Sequence, residues 1–406
     1  MSDDLPDDPA ARPPRGFSSR AILAATRAPE MRQRPTAVPI YQSATFSADD
    51  AEGLAAILAG GPGYSYARID NPTAAALAAA VAELEGAESG FAFGSGMAAI
   101  HAAIMATVRG GDRIVATRAV YGSTRTFLDR VMARLGVRID YVDATDADAV
   151  SAALPGAKVL YLETISNPTL VVVDIPELVA RAHRAGAIVL VDNTFASPYL
   201  CRPLESGADL VIESATKWLG GHSDVLAGVV SGSEALLKEV RAVAVDTGGI
   251  VAPFSAFLVL RGIETLAVRM DRHSASALTL ARYLEGADGP RRVIYPGLAS
   301  HPQATVAQRL LRAGGGMLGI DLATRQAALA FIDALTIPDR TASLGSVRTL
   351  AVHSATTSHR QFDAAALAAA GISEGLVRVS VGLEDVEDLV ADVAGGLAAV
   401  RSVVPA

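Results

Sequence analysis

The chain has 406 residues, carries a formal net charge of −8 and has only 19% charged residues, which excludes a basic nucleic-acid binder as the default reading. A hydrophobic share of 50% suffices for a large core and excludes intrinsic disorder for most of the chain, and at ~150 residues per domain the length suggests two or three domains. One cysteine, Cys201, cannot close an internal disulfide, the seven histidines are scattered, and no run of ~18 apolar residues reads as a membrane span, so the expectation is a soluble, cytoplasmic protein with no transition metal.

The first 20 or so residues, acidic and then rich in Pro and Arg, have no apolar core of a signal peptide and read as a flexible tail. Ala37 to Phe46 reads as extended, and Gly60 to Thr73, punctuated by Gly, Pro and Asn, as loop or arm. Thr73 is placed to N-cap an Ala/Leu-rich helix running to Glu85. From Phe91 onward, apolar runs alternate with helical patterns. They are Arg113 to Thr117, Val137 to Val142, Val159 to Glu163, Ile188 to Val191, Asp209 to Glu213 and Ala227 to Ser231. Short β-branched runs between helices predict a parallel sheet covered on both faces, hence an α/β domain over about 71–265. Ligands bind such sheets at the carboxyl ends of the strands. A long helical pattern opens the remainder, 266–406, and strands at GGMLGIDL and GLVRVSVG predict a smaller α+β domain.

Lysine is scarce: Lys158, Lys217 and Lys238 are the only three. Lys238 lies in an amphipathic helical stretch and Lys158 heads a strand after a Pro-Gly turn, both solvated positions. Lys217 follows the strand ending at Glu213, among small hydroxyl residues and glycines, where this kind of sheet presents a reacting group. A lysine there can hold a carbonyl cofactor as a Schiff base, and pyridoxal phosphate is the natural partner. Each of that cofactor's other needs has a candidate. Asp192, directly after a strand, can keep the pyridine nitrogen protonated. Gly94-Ser95-Gly96-Met97 opens a helix and, with Ser214 and Thr216, can hold the phosphate. Tyr121 can cover the ring. Arg378, inside an apolar strand, can pair with the substrate carboxylate or form a structural salt bridge.

The chain resembles the Cys/Met metabolism (trans-sulfuration) family of pyridoxal-phosphate enzymes, from about Ala37 to the C-terminus. The resemblance is carried by YARIDNPT (66–73), GSGMAAI (94–100), VYGST (120–124), ETISNPT (163–169), VDNTFASPYLCRPLESGADLV (191–211), SATKWLGGHSDVLAGVV (214–230), YPGL (295–298), SLG (343–345) and GLVRVSVGLEDVEDL (375–389). It implies an aspartate-aminotransferase-like fold (fold type I), with a mostly parallel large-domain sheet, and a homodimer as active unit, usually within a homotetramer. It implies that Lys217 is the Schiff-base lysine and Asp192 the pyridinium partner. Gly96, Met97, Ser214 and Thr216 match phosphate ligands, Tyr121 the stacking tyrosine that assists proton transfer, and Asn167 a residue near the cofactor's phenolic oxygen. Tyr66 and Arg68 match a pair reaching the neighbouring subunit's phosphate, which assigns residues 21–70 to an arm on that subunit. Ser343 and Arg378 match the substrate-carboxylate site.

The implied reaction labilises a γ-substituent, after which hydrolysis gives 2-oxobutanoate, ammonia and a thiol, or thiol addition gives a new thioether or thiol amino acid. Ser123 stands where methionine-cleaving members typically carry cysteine, and Arg348 where cystathionine-handling members often carry an acid. The order of preference is γ-lyase, then O-acylhomoserine sulfhydrylase or cystathionine γ-synthase. An aminotransferase is disfavoured because the usual Arg-containing phosphate motif after the lysine is missing. A nicotinamide enzyme is disfavoured because GSGMAA lacks the third glycine of its fingerprint, and no P-loop is present.

Overall fold

The computed structural model describes residues 15–25, 35–357, 359–360 and 362–403. The first fourteen residues of the expected tail lie outside the described residues. The rest of that stretch is not a tail, because Phe17–Ala25 form a helix whose Phe17 ring meets Tyr199 edge-on at 4.8 Å.

Strands β1 (Ser89–Phe93), β2 (Arg113–Thr117), β3 (Arg138–Val142), β4 (Val159–Glu163), β5 (Ile188–Asp192), β6 (Leu210–Glu213) and β7 (Gly228–Gly232) form one sheet in the order β1-β7-β6-β5-β4-β2-β3. The run β3-β2-β4-β5-β6 is parallel. Every residue of β4, β6 and β7 is buried, and four of five in β5, as a sheet covered on both faces requires. Two features depart from the sequence reading. β7 runs antiparallel to both neighbours, because no helix lies between it and β6 to carry the chain back across the sheet; residues 214–227 turn over the sheet's end instead. β1, with the sequence SGFAF, is a strand without a β-branched residue. It pairs with β7 along all five positions.

The second sheet is antiparallel, in the order β10 (Leu350–His353), β11 (Leu376–Ser380), β9 (Met317–Asp321), β8 (Arg292–Ile294). Helices Arg325–Ala334 and Val386–Val403 pack with it around a separate apolar cluster that includes Phe331, Val379 and Leu397. The long helix Leu266–Glu285 connects the two parts. Among the described residues, no helix is long and apolar enough to cross a membrane.

The helix Pro72–Glu85 is capped one step earlier than the sequence suggests. Asn71, not Thr73, is the N-cap, its side chain accepting from the N–H groups of Thr73 and Ala74, with Pro72 as first helical residue. Gly86 ends the helix at φ +75°, a left-handed conformation that suits glycine. Thr73 binds the arm instead: its hydroxyl donates to Pro39 O at 2.8 Å and accepts from Tyr41 N–H at 2.9 Å. Asn71 Nδ2 donates to Tyr41 O at 2.8 Å. The arm also contains a helix that the sequence reading lacks, Ala51–Leu58, capped by Asp50 and burying none of its residues. Because Asn71 serves cap and arm together, Asn71→Ala is expected to cost about 1–2 kcal/mol, the upper range for a lost cap. Thermal unfolding of this variant and of Thr73→Ala, which removes only the arm contact, checks the attribution: equal losses would contradict it.

Candidate active site

Strand direction collects the chemistry. The turns after β1, β2, β4, β5 and β6 all leave the same edge of the sheet, and they line one cavity of about 850 Å³ with Ser95, Gly96, Met97, Tyr121, Asn167, Asp192, Ser214, Thr216 and Lys217. Ser343 and Arg378 close it from the side of the small sheet. Eight of the ten site residues expected in one chain's cleft thus meet at the strands' carboxyl ends, and the other two face them. Tyr66 and Arg68 do not line this cavity: Arg68 donates to Val245 O and lies over the Tyr66 ring at 5.6 Å.

Lys217 Nζ donates to Ser343 Oγ at 2.9 Å. Burial, and next the charge of Arg378, lower the amine's pKa to about 8. The backbone just after it is clamped. Arg269, only 3% exposed, donates to Trp218 O at 2.7 Å and to Gly262 O at 2.7 Å, and the Trp218 indole N–H donates to Phe195 O at 3.0 Å. Gly345, at φ +80°, presses from the other side; a Cβ there would fall 2.8 Å from Lys217 C and 2.7 Å from Trp218 N. Exposed Lys158 and Lys238 have no comparable surroundings.

Arg378 is 3% exposed. Its Nη1 donates to Asn167 Oδ1 at 2.8 Å and its Nη2 to Ser343 O at 2.9 Å, while its Nε is buried without a partner. No ion pair to it exists among the described residues. The structural salt bridge is therefore not what holds this arginine, and a buried guanidinium in neutral company invites an anion.

Asp192 sits at the carboxyl end of β5, accepting from Thr194 N–H at 3.0 Å and from the Tyr161 hydroxyl at 3.4 Å. Burial raises its pKa, opposed by the bonds from Thr194. Its register neighbour on β4 is Glu163, a residue to which the sequence reading gave no role. Glu163 accepts from Tyr121 N–H at 2.6 Å and from Asn167 N–H at 3.2 Å, so one buried carboxyl fixes the backbone of two cavity residues. Burial, then the Asp192 charge, hold its pKa well above the carboxylate range. As the last residue of an apolar strand it looks like a strand end; only its position beside Asp192 marks it out.

At the opposite end, the helix Gly96–Thr107 is capped by Ser95, whose Oγ accepts from Ala98 N–H at 3.1 Å. The first amides of the helix, those of Gly96 and Met97, have no intrahelical acceptor. A Cβ at Gly96 would fall 2.7 Å from Ser214 Cβ and Oγ, so this turn and the Lys217 loop touch only because it is glycine. Thr216 Oγ1 accepts from Ala227 N–H at 3.0 Å and donates to Ala227 O at 3.2 Å. This set of groups fits pyridoxal phosphate: helix amides and hydroxyls for a phosphate, a buried acid for a protonated ring nitrogen, and an amine for a carbonyl. Among the described residues, no cluster of three or more His, Cys, Asp or Glu side chains could hold a metal. Of the two substitutions noted in the sequence, Ser123 lines the cavity, whereas Arg348 turns away to pair with Asp339 at 2.8 Å.

Residues 19–398 match the family described as Cys/Met metabolism PLP-dependent enzyme. The chain is 43% identical to L-methionine gamma-lyase of Pseudomonas putida over 95% of this chain and 98% of that one. It is 44% identical to O-succinylhomoserine sulfhydrylase of Pseudomonas aeruginosa over 83% and 84%. Its fold superimposes on crystalline cystathionine gamma synthase of Xanthomonas oryzae pv. oryzae with a TM-score of 0.92 at 35% identity, covering 97% of this chain and 100% of that one. The mostly parallel seven-stranded sheet beside a small antiparallel one is thus the fold type I architecture, and the chain belongs to the pyridoxal-phosphate-dependent Cys/Met metabolism family.

Proposed function

We propose that the chain catalyses γ-elimination of a sulfur amino acid of the methionine or cystathionine type, giving 2-oxobutanoate, ammonia and a thiol. γ-Replacement on O-acetyl- or O-succinyl-L-homoserine is the second reading, favoured by the similarity to a sulfhydrylase. The observation that carries both is the meeting of a buried amine and a buried guanidinium at one residue, Ser343, whose hydroxyl accepts from Lys217 and whose backbone carbonyl accepts from Arg378, with no carboxylate against either among the described residues. That is a place for an amino acid held by its carboxylate with Cα within reach of a base.

Bound there, pyridoxal phosphate supplies a carbonyl that condenses with amines and a ring that draws negative charge from Cα. Lys217 would anchor the cofactor, and its neutral amine is placed to take the substrate's Cα proton and then to serve Cβ, which would let the γ-substituent depart. Arg378 and Ser343 orient the substrate carboxylate. Asp192 would accept from the ring nitrogen, and a cation there would offset the burial that raises its pKa. Tyr121 would cover the ring, Asn167, which holds Arg378, would lie near the cofactor, and Gly96, Met97, Ser214 and Thr216 would take the phosphate. Tyr66 and Arg68 complete the phosphate site of a neighbouring subunit in a homodimer, assembled into a homotetramer in the cytoplasm. The arm helix that buries none of its residues and Leu226, 66% exposed on the cavity rim, support a covering subunit.

Lys217→Ala is expected to lower kcat by about 10²–10⁴-fold or more and to abolish the visible absorbance of the cofactor adduct, with far-UV circular dichroism unchanged. Retained absorbance would sink the assignment. Arg378→Ala, which removes a buried charged partner worth about 2–5 kcal/mol, is expected to lower kcat/KM by about 30- to 1,000-fold or more. The choice between outcomes is read by assaying 2-oxobutanoate from L-methionine and L-cystathionine, and new thiol amino acid from an O-acyl-L-homoserine with sulfide.

The apoprotein makes a separate test. The Lys217 amine titrates at about 8 in the fold, against an ordinary 10.5. Between these values the unfolded chain holds the extra proton, so stability rises with pH across this window, and the burial penalty is present in full below it. Chemical denaturation of the apoprotein against pH should show that rise, and Lys217→Ala should lack it. Parallel curves for the two proteins would contradict a buried amine.

A further inference from the structure

Behind the large sheet, outside the cavity that holds Lys217, two carboxyls meet. Side chains alternate across a strand, and the packing shows which face each takes. Leu190 of β5 and Ile212 of β6 belong to the apolar cluster of the helix Gly96–Thr107, whereas Val191 and Val211 belong to that of the helix Pro72–Glu85. Asp192 therefore faces the first side and Glu213 the second, where it meets Glu85, the last residue of its helix. Glu85 is 0% exposed and Glu213 2%. The two carboxyls are hydrogen-bonded to each other, and Glu85 Oε2 and Glu213 Oε1 receive no hydrogen bond from any other group among the described residues. Asn193, next in the chain to Asp192, ties the pair to the strand ends. Its Nδ2 donates to Glu85 Oε1 at 3.1 Å and to Cys201 O at 2.9 Å, its Oδ1 accepts from Thr164 Oγ1 at 2.7 Å, and its N–H donates to Ile212 O at 2.9 Å. The charged and titratable groups facing the pair are Asp192 across the sheet, the Cys201 thiol and the Arg202–Glu205 ion pair at 2.8 Å, with Arg20 beyond it. The helix Pro253–Glu264, packed against Pro72–Glu85, buries only apolar residues and a glycine.

Two carboxylates in contact in an apolar core cannot both ionise, and a proton between them replaces repulsion with a hydrogen bond. Resting on the cofactor-holding roles proposed above for Asp192 and Lys217, we infer that Glu85 and Glu213 share a proton and act as a positioning pair. Their bond draws the end of the helix Pro72–Glu85 onto the ends of β5 and β6, and so fixes from behind the sheet the turns that carry Asp192 and Lys217. Burial, opposed by the bonds from Asn193 and Glu213, pushes the Glu85 carboxyl up to about 7. Burial, and next the Glu85 charge, holds that of Glu213 well above the carboxylate range. The pair therefore keeps two protons in acid and one from about pH 7 upward, whereas an unfolded chain releases both near the ordinary 4.5.

The apoprotein tests the proton, and the holoenzyme tests the positioning. Between pH 4.5 and about 7 the folded chain holds protons that the unfolded chain has lost, so the pair's contribution to stability falls as pH rises through this window. Glu213→Gln keeps the shape and gives Glu85 a permanent donor, so chemical denaturation of its apoprotein should show a shallower fall than the wild type. Asp192 and Glu163 are present in both proteins, so the difference isolates the pair. In the holoenzyme, Glu213→Ala is expected to shift the pH at which the cofactor's visible absorbance changes and to lower kcat about 10- to 100-fold with KM held. Glu213→Gln should bring both back toward the wild-type values. Far-UV circular dichroism checks each fold, and Glu213→Leu, which fills the space without a hydrogen bond, takes the place of an Ala variant that does not fold. Parallel denaturation curves for wild type and Glu213→Gln would overturn the shared proton. An unmoved visible titration and kcat in Glu213→Ala, or a Gln variant no better than the Ala one, would overturn the positioning. Turnover of no sulfur amino acid or acylhomoserine would overturn the γ-chemistry alone, since the denaturation curves and the visible titration need no substrate.

Discussion

Two groups that carry positive charge in water, the Lys217 amine and the Arg378 guanidinium, share one cleft, and among the described residues each hydrogen-bonds only neutral oxygens. Burying a cation without a counter-charge costs several kcal/mol unless the group sheds its proton or gains a partner. The two side chains divide these options. The amine, lowered to about 8, can give up its proton near neutrality. The guanidinium cannot, and holds the cleft open to an anion. Most of the proposed function follows from this asymmetry: it casts one group as nucleophile and base and the other as a carboxylate receptor.

The fold bears the cost through rigidity elsewhere. Lys217 is followed by Trp218, 1% exposed and tied to Phe195, by carbonyls gathered under Arg269, and by the close approach of Gly345. On the sheet side, Glu163 joins the turns carrying Tyr121 and Asn167, and Asn167 in turn holds Arg378. A chain of contacts therefore runs from the large sheet through Asn167 and Arg378 to Ser343 and back to Lys217. The closed loop spans both sheets, which explains how a buried charge stays in register over more than 200 residues of sequence separation, Arg378 and Asn167 being 211 apart.

Much of this is legible in the residues themselves. Strands β2 to β6 announce themselves as β-branched runs, and Lys217, Asp192 and Tyr121 become candidates because each follows a strand at the edge where such sheets bind ligands. Arg378 draws attention as a charge inside an apolar strand. What escapes notice is whatever depends on partners distant in the chain. β1 has the composition of a loop and is a strand because β7 pairs with it. β7 reverses direction because the Lys217 segment replaces a crossover helix. The cap of Pro72–Glu85 shifts to Asn71 because Thr73 is committed to the arm. Glu85 and Glu213 read as the acidic ends of a helix and a strand, since nothing local says that the fold buries them against each other.

The central claim is that Lys217, alone among three lysines, binds the cofactor. Borohydride reduction of the holoenzyme followed by peptide mass mapping tests it most directly, because reduction fixes the cofactor to whichever amine holds it. The account predicts a single pyridoxyl-modified peptide containing Lys217. Modification at Lys158 or Lys238 instead, or at none of the three, would contradict it.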